Sequence, residues 1–272
     1  MPTVALACLA LACSWKAGIL LRDNRRPRRL TGNDYRSGVG WIDDRARVSA
    51  RRWNWVLLAA AAGLVPTPLI TPMIGGLVGA ACCAAIIAWF TQQDRRSARF
   101  TSLCIAMLAA SMLVHELSRS FPQVPANSGM LLASFCAGQL YLVAAVRKLR
   151  SAQFCSGRVI LDNLAYGSVQ AAAGNRDFLP LLLLHPDRLA ALLCAPSLRI
   201  ACRSAAVAAT IAELLLGLGA VGLVPTAPIL VLTVTSHIAF LLMGPVRIVP
   251  FSSAAIGMMA MASMHPVLAG IG

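Results

Sequence analysis

Charged residues are scarce in this sequence, and their scarcity is the first guide to its class. Of 272 residues, 12% are charged and 58% are hydrophobic, and the mean hydropathy is +0.72. An ordinary soluble domain carries about 25% charged residues. Several separate apolar runs also approach the ~20 residues that a helix needs to cross a bilayer. The sequence therefore predicts an all-α, polytopic integral membrane helix bundle of about six to eight spans, with one re-entrant or interfacial segment.

Paired cysteines are lacking as well. The nine cysteines are scattered, mostly inside apolar runs, and none stands in a C-x-x-C pair or in a Cys/His cluster with zinc spacing. Cys82 and Cys83 are adjacent in the chain, which is a poor geometry for an ordinary disulfide. We interpret the cysteines as small packing residues and predict no metal.

Acidic residues are few beside basic ones: 10 Asp and Glu stand against 24 Lys and Arg, for a net charge of +14. On a soluble protein this excess would suggest a nucleic-acid partner. Here the arginines lie between apolar runs, as in loops that face the cytoplasm. We therefore predict the lipid bilayer, and no nucleic acid, as the partner. The expected location is the cell membrane, which the chain crosses several times.

The densest basic stretch is residues 22–52, with ten Arg and four Asp, which we interpret as a cytoplasmic, partly disordered arm. We divide the chain into an N-terminal apolar segment plus this arm, residues 1–52, and a transmembrane domain, residues 53–272. The first span of that domain, residues 53–70, is interrupted by two prolines. Residues 158–201 are too broken by proline and charge to span simply, and we assign them to the interfacial or re-entrant segment.

Glutamate is almost absent, and both instances, Glu116 and Glu213, lie in apolar runs. Glu116 stands at the end of its run, and we interpret it as a surface anchor. Glu213 lies near mid-depth, where an ionisable group costs about 2.5 to 3.5 kcal/mol, so it should face the interior with a partner. His237 on the next helix is the first candidate partner and Lys148 the second. The alternatives are a neutral Glu213 that only pins two helices and a His237 that is only a core residue.

One apolar run, about residues 129–147, carries a stripe of residues at three- and four-residue steps. On a helix these residues share a face: Ser134, Gly138, Tyr141, Ala145 and Lys148. Small residues on such a face let a neighbouring helix approach closely, so the stripe should present a phenol and an amine to the protein interior. A desolvated lysine can act as a base near neutral pH, whereas a lysine at a helix end commonly reaches out to the headgroups. The residues alone leave both interpretations of Lys148 open.

The stretch YLVAAVRKL, followed by Phe154-x-x-Gly157, resembles the vitamin K-dependent γ-carboxylase superfamily and its small bacterial relatives, the HTTM (horizontally transferred transmembrane) proteins. Those proteins carry a Tyr-containing helix that ends in a basic residue and Leu, a Trp-x-x-Gly step, and two later helices with an acidic residue and a His. Tyr141, Lys148, Glu213 and His237 fit this order. The match covers roughly residues 72–262, and the family's Trp is Phe154 here.

The resemblance implies a function and roles for these residues. Lys148 would be the base that deprotonates a reduced lipid quinone of the menaquinone or vitamin K type. His237 and Glu213 would orient groups or relay a proton, and Tyr141 would line the quinone pocket. The process would be modification or maturation of a small exported peptide, although the chain has none of the luminal β-rich domain with which the carboxylases engage their substrate.

Two other functions fit the same sequence. One is a non-catalytic membrane partner that escorts, or confers immunity to, a secreted peptide. The other is a DoxX-like, quinone-linked membrane subunit, which is similar in size and also contains a lysine.

Overall fold

The structure is a computed structural model that describes residues 3–25, 44–92, 99–175, 177–178 and 186–264. Most of these residues lie in helices joined by turns and short loops. Within the described ranges the β-structure is limited to one isolated bridge, between Phe178 and Pro245. Five of the described helices are long and apolar enough to cross a membrane, and two shorter apolar helices accompany them. The prediction of an all-α polytopic membrane helix bundle is confirmed.

The helices divide into two compact units, and the first holds most of the N-terminal half. It contains the chain as far as Ala133 together with Val249–Met261. Its helices are α1 (Thr3–Arg25), α2 (Asp44–Leu64), α3 (Pro72–Gln92), α4 (Arg99–Ser120), the first turns of α5 (Ser128–Leu149) and nearly all of α11 (Val249–Ala262).

Helix α2 differs from the span predicted at residues 53–70. It begins at Asp44, inside the Arg-rich stretch, and ends at Leu64, and a 3-10 turn over Thr67–Leu69 follows. Pro66 and Pro68 explain this end, because proline cannot donate to the helical ladder and disfavours helical backbone in the residue before it. The boundary predicted at residue 53 therefore lies inside a helix. Residues 26–43 of the predicted arm lie outside the described residues.

The first unit also corrects the interpretation of Glu116 as a surface anchor. Its carboxylate is buried, with 6% of the residue exposed, and it faces the bare backbone of Gly76 on α3. A Cβ at Gly76 would lie 2.9 Å from Oε2 of Glu116. In the same unit, Trp89 donates from Nε1 to Oδ1 of buried Asn54 over 3.3 Å. Polar groups inside apolar helices are thus held within the protein, as the cost of exposing them to lipid requires.

The second unit runs from Ser134 through Ile248. It contains the rest of α5 and the remaining helices: α6 (Ala152–Cys155), α7 (Arg158–Ala172), α8 (Pro186–Cys194), α9 (Pro196–Ala220), α10 (Thr226–Met243) and a 3-10 turn at Val246–Ile248. Helices α7 and α8 have 15 and 9 residues, fewer than the ~20 that cross a bilayer. Their length fits the interfacial or re-entrant segment predicted in this part of the chain.

Close contact between α5 and α9 sets the register of this unit. Ser134 donates a hydrogen bond to the carbonyl of Ala220, and Gly138 lies against Ala220 and Val221. Further along, Gly217 lies against Leu142, where an added Cβ would come within 2.5 Å of that side chain. Residue numbers rise along α5 as they fall along α9, so the two helices are antiparallel. Glycine at both contacts allows the backbones to approach closely.

A second contact joins the segment after α7 to the segment after α10. The backbone N–H of Val246 donates to the carbonyl of Asp177 over 2.7 Å, and the Arg247 guanidinium donates to the Asp177 carboxylate over 2.9 Å. Phe178 pairs with Pro245 in the isolated bridge, and its ring meets Tyr166 edge to face, with centroids 5.5 Å apart. These contacts hold the C-terminal end of α10 against α7.

Candidate functional site

An ion pair between α5 and α9 is the centre of the candidate site. Nζ of Lys148 lies 2.6 Å from Oε1 of Glu213, and the side chains are 21% and 7% exposed. The antiparallel register brings the last turn of α5 beside Glu213, which lies seven residues before the end of α9 at Ala220 and is buried. Among the described residues, no donor lies within hydrogen-bond distance of the second oxygen of Glu213, Oε2, which is buried. The carboxylate therefore has capacity for one more donor.

Two aromatic rings flank the ammonium of Lys148. Nζ lies 4.8 Å from the ring centroid of Phe154 on α6 and 5.1 Å from that of Phe240 on α10. Both distances fall within the ~6 Å over which a ring face attracts a cation. The amine is therefore held by one carboxylate and two ring faces, although the helix end where it stands would let it reach the headgroups.

A second polar pair lies deeper in the same unit. The hydroxyl of Tyr141 on α5 and Nε2 of His237 on α10 share a hydrogen bond of 2.7 Å. Tyr141 is 2% exposed and His237 is fully buried. Thr233, one turn before His237, is also fully buried, and its hydroxyl donates to the carbonyl of Ile229. The phenol and the imidazole thus join α5 to α10 inside the protein.

The structure corrects one predicted pairing and confirms another. His237, the first candidate partner of Glu213, instead pairs with Tyr141, and Lys148, the second candidate, holds Glu213. The order was wrong because sequence proximity favoured the neighbouring helix α10, whereas the packing of Gly138 and Gly217 determines which side chain of α5 reaches Glu213.

The predicted stripe along α5 does face the interior. Ser134, Gly138, Tyr141 and Ala145 are buried, and Lys148 is partly buried. Its basic neighbours Arg147 and Arg150 are exposed. The spacing of small residues was therefore a sufficient signal for the inward face, and Lys148 turns away from the other two cations at the helix end.

Phe240 is the residue of the site that sequence reasoning missed. It stands three residues after His237, so both side chains project from one face of α10. The rings of His237 and Phe240 meet edge to face, with centroids 5.6 Å apart. Phe240 thus contacts both polar pairs, through His237 on one side and the Lys148 ammonium on the other. An aromatic residue one helical turn after an intramembrane histidine was the available signal.

The geometry defines the class of this protein: a polytopic helical membrane protein with four ionisable or phenolic side chains paired inside one unit. In the part of the chain that the structure describes, no three His, Cys, Asp or Glu side chains come together as a metal site would need. No family model, no curated protein and no solved structure matches this chain. Membership of the HTTM and γ-carboxylase superfamily stays a prediction from the motifs.

Proposed function

We propose that the chain is an HTTM-type, γ-carboxylase-like protein of the cell membrane that uses a lipid quinone in the modification or maturation of an exported peptide. One observation supports this proposal above the others. The four side chains selected by motif order, Tyr141, Lys148, Glu213 and His237, form two hydrogen-bonded pairs, of 2.7 Å and 2.6 Å, in one unit. These residues come from three different helices, and their meeting in one unit is what a shared site would require.

The residues present fit a quinone headgroup. Carbonyl and hydroxyl oxygens of such a ring need hydrogen-bond donors, and the Lys148 ammonium and the Tyr141–His237 pair supply them. Phe154 and Phe240 offer flat apolar faces next to the ammonium. A bound quinone would supply two-electron redox chemistry coupled to protons.

Lys148 must lose a proton to Glu213 before it can act as a base. An ammonium has no lone pair, so Nζ must first give up a proton, and Oε1 of Glu213 is 2.6 Å away. Transfer along this bond leaves a neutral amine and a neutral carboxylic acid. Burial favours such an exchange, because separated charges lose their hydration in a medium of low polarity. Glu213 would then store the proton while the amine takes one from substrate.

The second candidate function is that of a non-catalytic membrane partner, for which the same polar contacts would serve only to stabilise the helix bundle. The Lys148–Glu213 and Tyr141–His237 pairs connect α5 to α9 and to α10. Polar contacts of this kind stabilise helix packing in membranes without any chemistry. An escort or immunity protein for a secreted peptide would need only the rigid framework that results.

Quinone binding separates these two functions. We expect protein purified with native lipid to contain bound quinone, and Lys148→Ala to weaken its binding by about 10- to 100-fold, because a hydrogen bond from a charged donor is lost. Tyr141→Phe should weaken it only a few-fold, since a neutral hydrogen bond is lost. Solvent extraction of the purified protein followed by quinone analysis measures the bound quinone. Titration of the delipidated wild type and variants with quinone measures the binding affinities. Arg147→Ala, an exposed cation one residue away, is the matched control. Absence of quinone, or equal binding in Lys148→Ala, would leave the non-catalytic function.

The side of the membrane that Lys148 faces is a separate expectation. Basic loops predict that this end of α5 faces the cytoplasm. Cys155 is exposed just beyond it on α6, and its Sγ lies 3.4 Å from the carbonyl oxygen of Lys148. In a protein that retains only this cysteine, an impermeant thiol reagent should label Cys155 in inside-out vesicles and not in intact cells. Labelling in intact cells would invert the assigned topology and bring the site to the side where exported peptides emerge.

A further inference from the structure

Phe240 lies between the two polar pairs of the site. Its ring meets the His237 imidazole edge to face, with centroids 5.6 Å apart, and the Lys148 ammonium lies 5.1 Å from its centre. Tyr141 and Lys148 are seven residues apart on α5, about 10 Å along the axis. Since His237 and Phe240 are one turn apart on α10, the aromatic ring bridges the space between imidazole and ammonium.

The two pairs differ in their access to solvent. The Lys148 side chain is 21% exposed, whereas Tyr141 is 2% exposed and His237 is fully buried. Lys148 is therefore the most exposed of the four side chains, and Tyr141 and His237 are enclosed by protein. The buried Oε2 of Glu213, which meets no donor among the described residues, adds a place where an arriving proton can be held.

We propose that Phe240 is a positioning residue that keeps the Lys148 ammonium on Glu213 and away from the Tyr141–His237 pair, and that protons pass between the pairs only when its ring turns aside. The step moves one proton from Nζ of Lys148 to the imidazole–phenol pair. Lys148 is left as a neutral amine, the deeper pair gains one positive charge, and solvent returns a proton to the amine. No electron moves.

The Phe240 ring attracts the Lys148 ammonium through a cation–π interaction. A cation over a ring face is attracted by the ring quadrupole, and the attraction increases when water is excluded. Phe154 exerts the same attraction from the other side of the ammonium, 4.8 Å away. The two rings differ in one respect, because Phe240 also touches His237, and this gives the experiment a matched control.

The test is the rate at which the imidazole N–H proton of His237 exchanges with water. Protein with 15N-labelled histidine is placed in lipid nanodiscs, and NMR measures the exchange; the His237 signal is assigned by its loss in His237→Gln. Phe240→Ala should accelerate exchange about tenfold, because it removes the ring that lies between the imidazole and the ammonium together with its cation–π contact. Phe154→Ala should change it less than twofold. In the double variant Phe240→Ala/Lys148→Met, most of the acceleration should disappear, since the donor is gone.

Each outcome decides the proposal. An unchanged rate in Phe240→Ala, an equal rise in Phe154→Ala, or an acceleration that persists without Lys148 overturns it, the last because water alone would then carry the proton. If Phe240→Ala does not fold, Phe240→Leu replaces it, since leucine retains apolar volume and removes the ring. The measurement requires no quinone and no peptide, so its failure and the failure of the proposed function are distinguishable.

Discussion

Replacement of Lys148 by methionine is expected to destabilise the protein by about 2 to 3 kcal/mol, because it leaves the Glu213 carboxylate buried without its cation. Glu213 is 7% exposed and its side chain is shorter than that of Lys148, so the carboxylate stays enclosed by protein after the substitution. It can only take up a proton, which limits the cost to somewhat less than that of a permanently charged group. Unfolding of the purified protein in mixed micelles measures the difference in free energy.

Replacement of the partner residue, Glu213→Leu, should destabilise the protein less, by about 1 kcal/mol, because Lys148 is more exposed than Glu213. In Glu213→Leu the freed ammonium stands at the end of α5 with 21% of its side chain already exposed, and it can extend to the headgroups. The double variant Lys148→Met/Glu213→Leu should be within about 1 kcal/mol of the wild type, because two apolar side chains replace a buried ion pair. Arg147→Met, on the exposed side of the same turn, should lie within about 0.5 kcal/mol. Equal costs for the two single variants would contradict the inward orientation of Lys148.

The helices themselves were largely predictable from the sequence, because length and apolar composition suffice to identify a span. The run predicted at about residues 129–147 corresponds to the helix Ser128–Leu149. The inward face of α5 also followed from its spacing of small residues. The span and its inward face depend only on the pattern of residues within one segment, so that segment's sequence is enough to predict them.

Features that depend on two segments at once were not predictable. The contact of Gly217 with Leu142 determines which residue of α5 lies beside Glu213. The sequence of α9 alone does not indicate that residue. The role of Phe240 likewise requires the position of Lys148 on another helix. Helix α2 was mislocated for a related reason: its first two turns, from Asp44, are charged, and charge in a single sequence indicates a loop as readily as a helix that extends beyond the bilayer.

The aromatic-x-x-Gly step now has a steric reason that single-sequence reasoning did not provide. Gly157 is the residue before α7, its φ is +79°, and an added Cβ would lie 2.5 Å from the backbone nitrogen of Arg203 and 2.6 Å from the carbonyl carbon of Cys202. Backbone atoms of a packed helix cannot move aside as a side chain does. Gly157 therefore allows the turn after α6 to lie directly on α9, and Phe154 on α6 to face Lys148.

Gly157→Ala is expected to destabilise the protein by about 3 kcal/mol, about 1 kcal/mol from left-handed backbone and about 2 kcal/mol from overlap with α9. Gly174→Ala is the matched control, since Gly174 has a φ of +76° and open space where a Cβ would stand. It should cost only the backbone part, about 1 kcal/mol. The displaced turn should also withdraw the Phe154 ring from the ammonium, so the Gly157 variant, unlike the control, should lose the coupling between Phe154→Ala and Lys148→Met in a double-mutant cycle. Equal destabilisation by the two glycine variants would mean that the backbone of α9 yields, and that the close approach of this turn does not hold the site together.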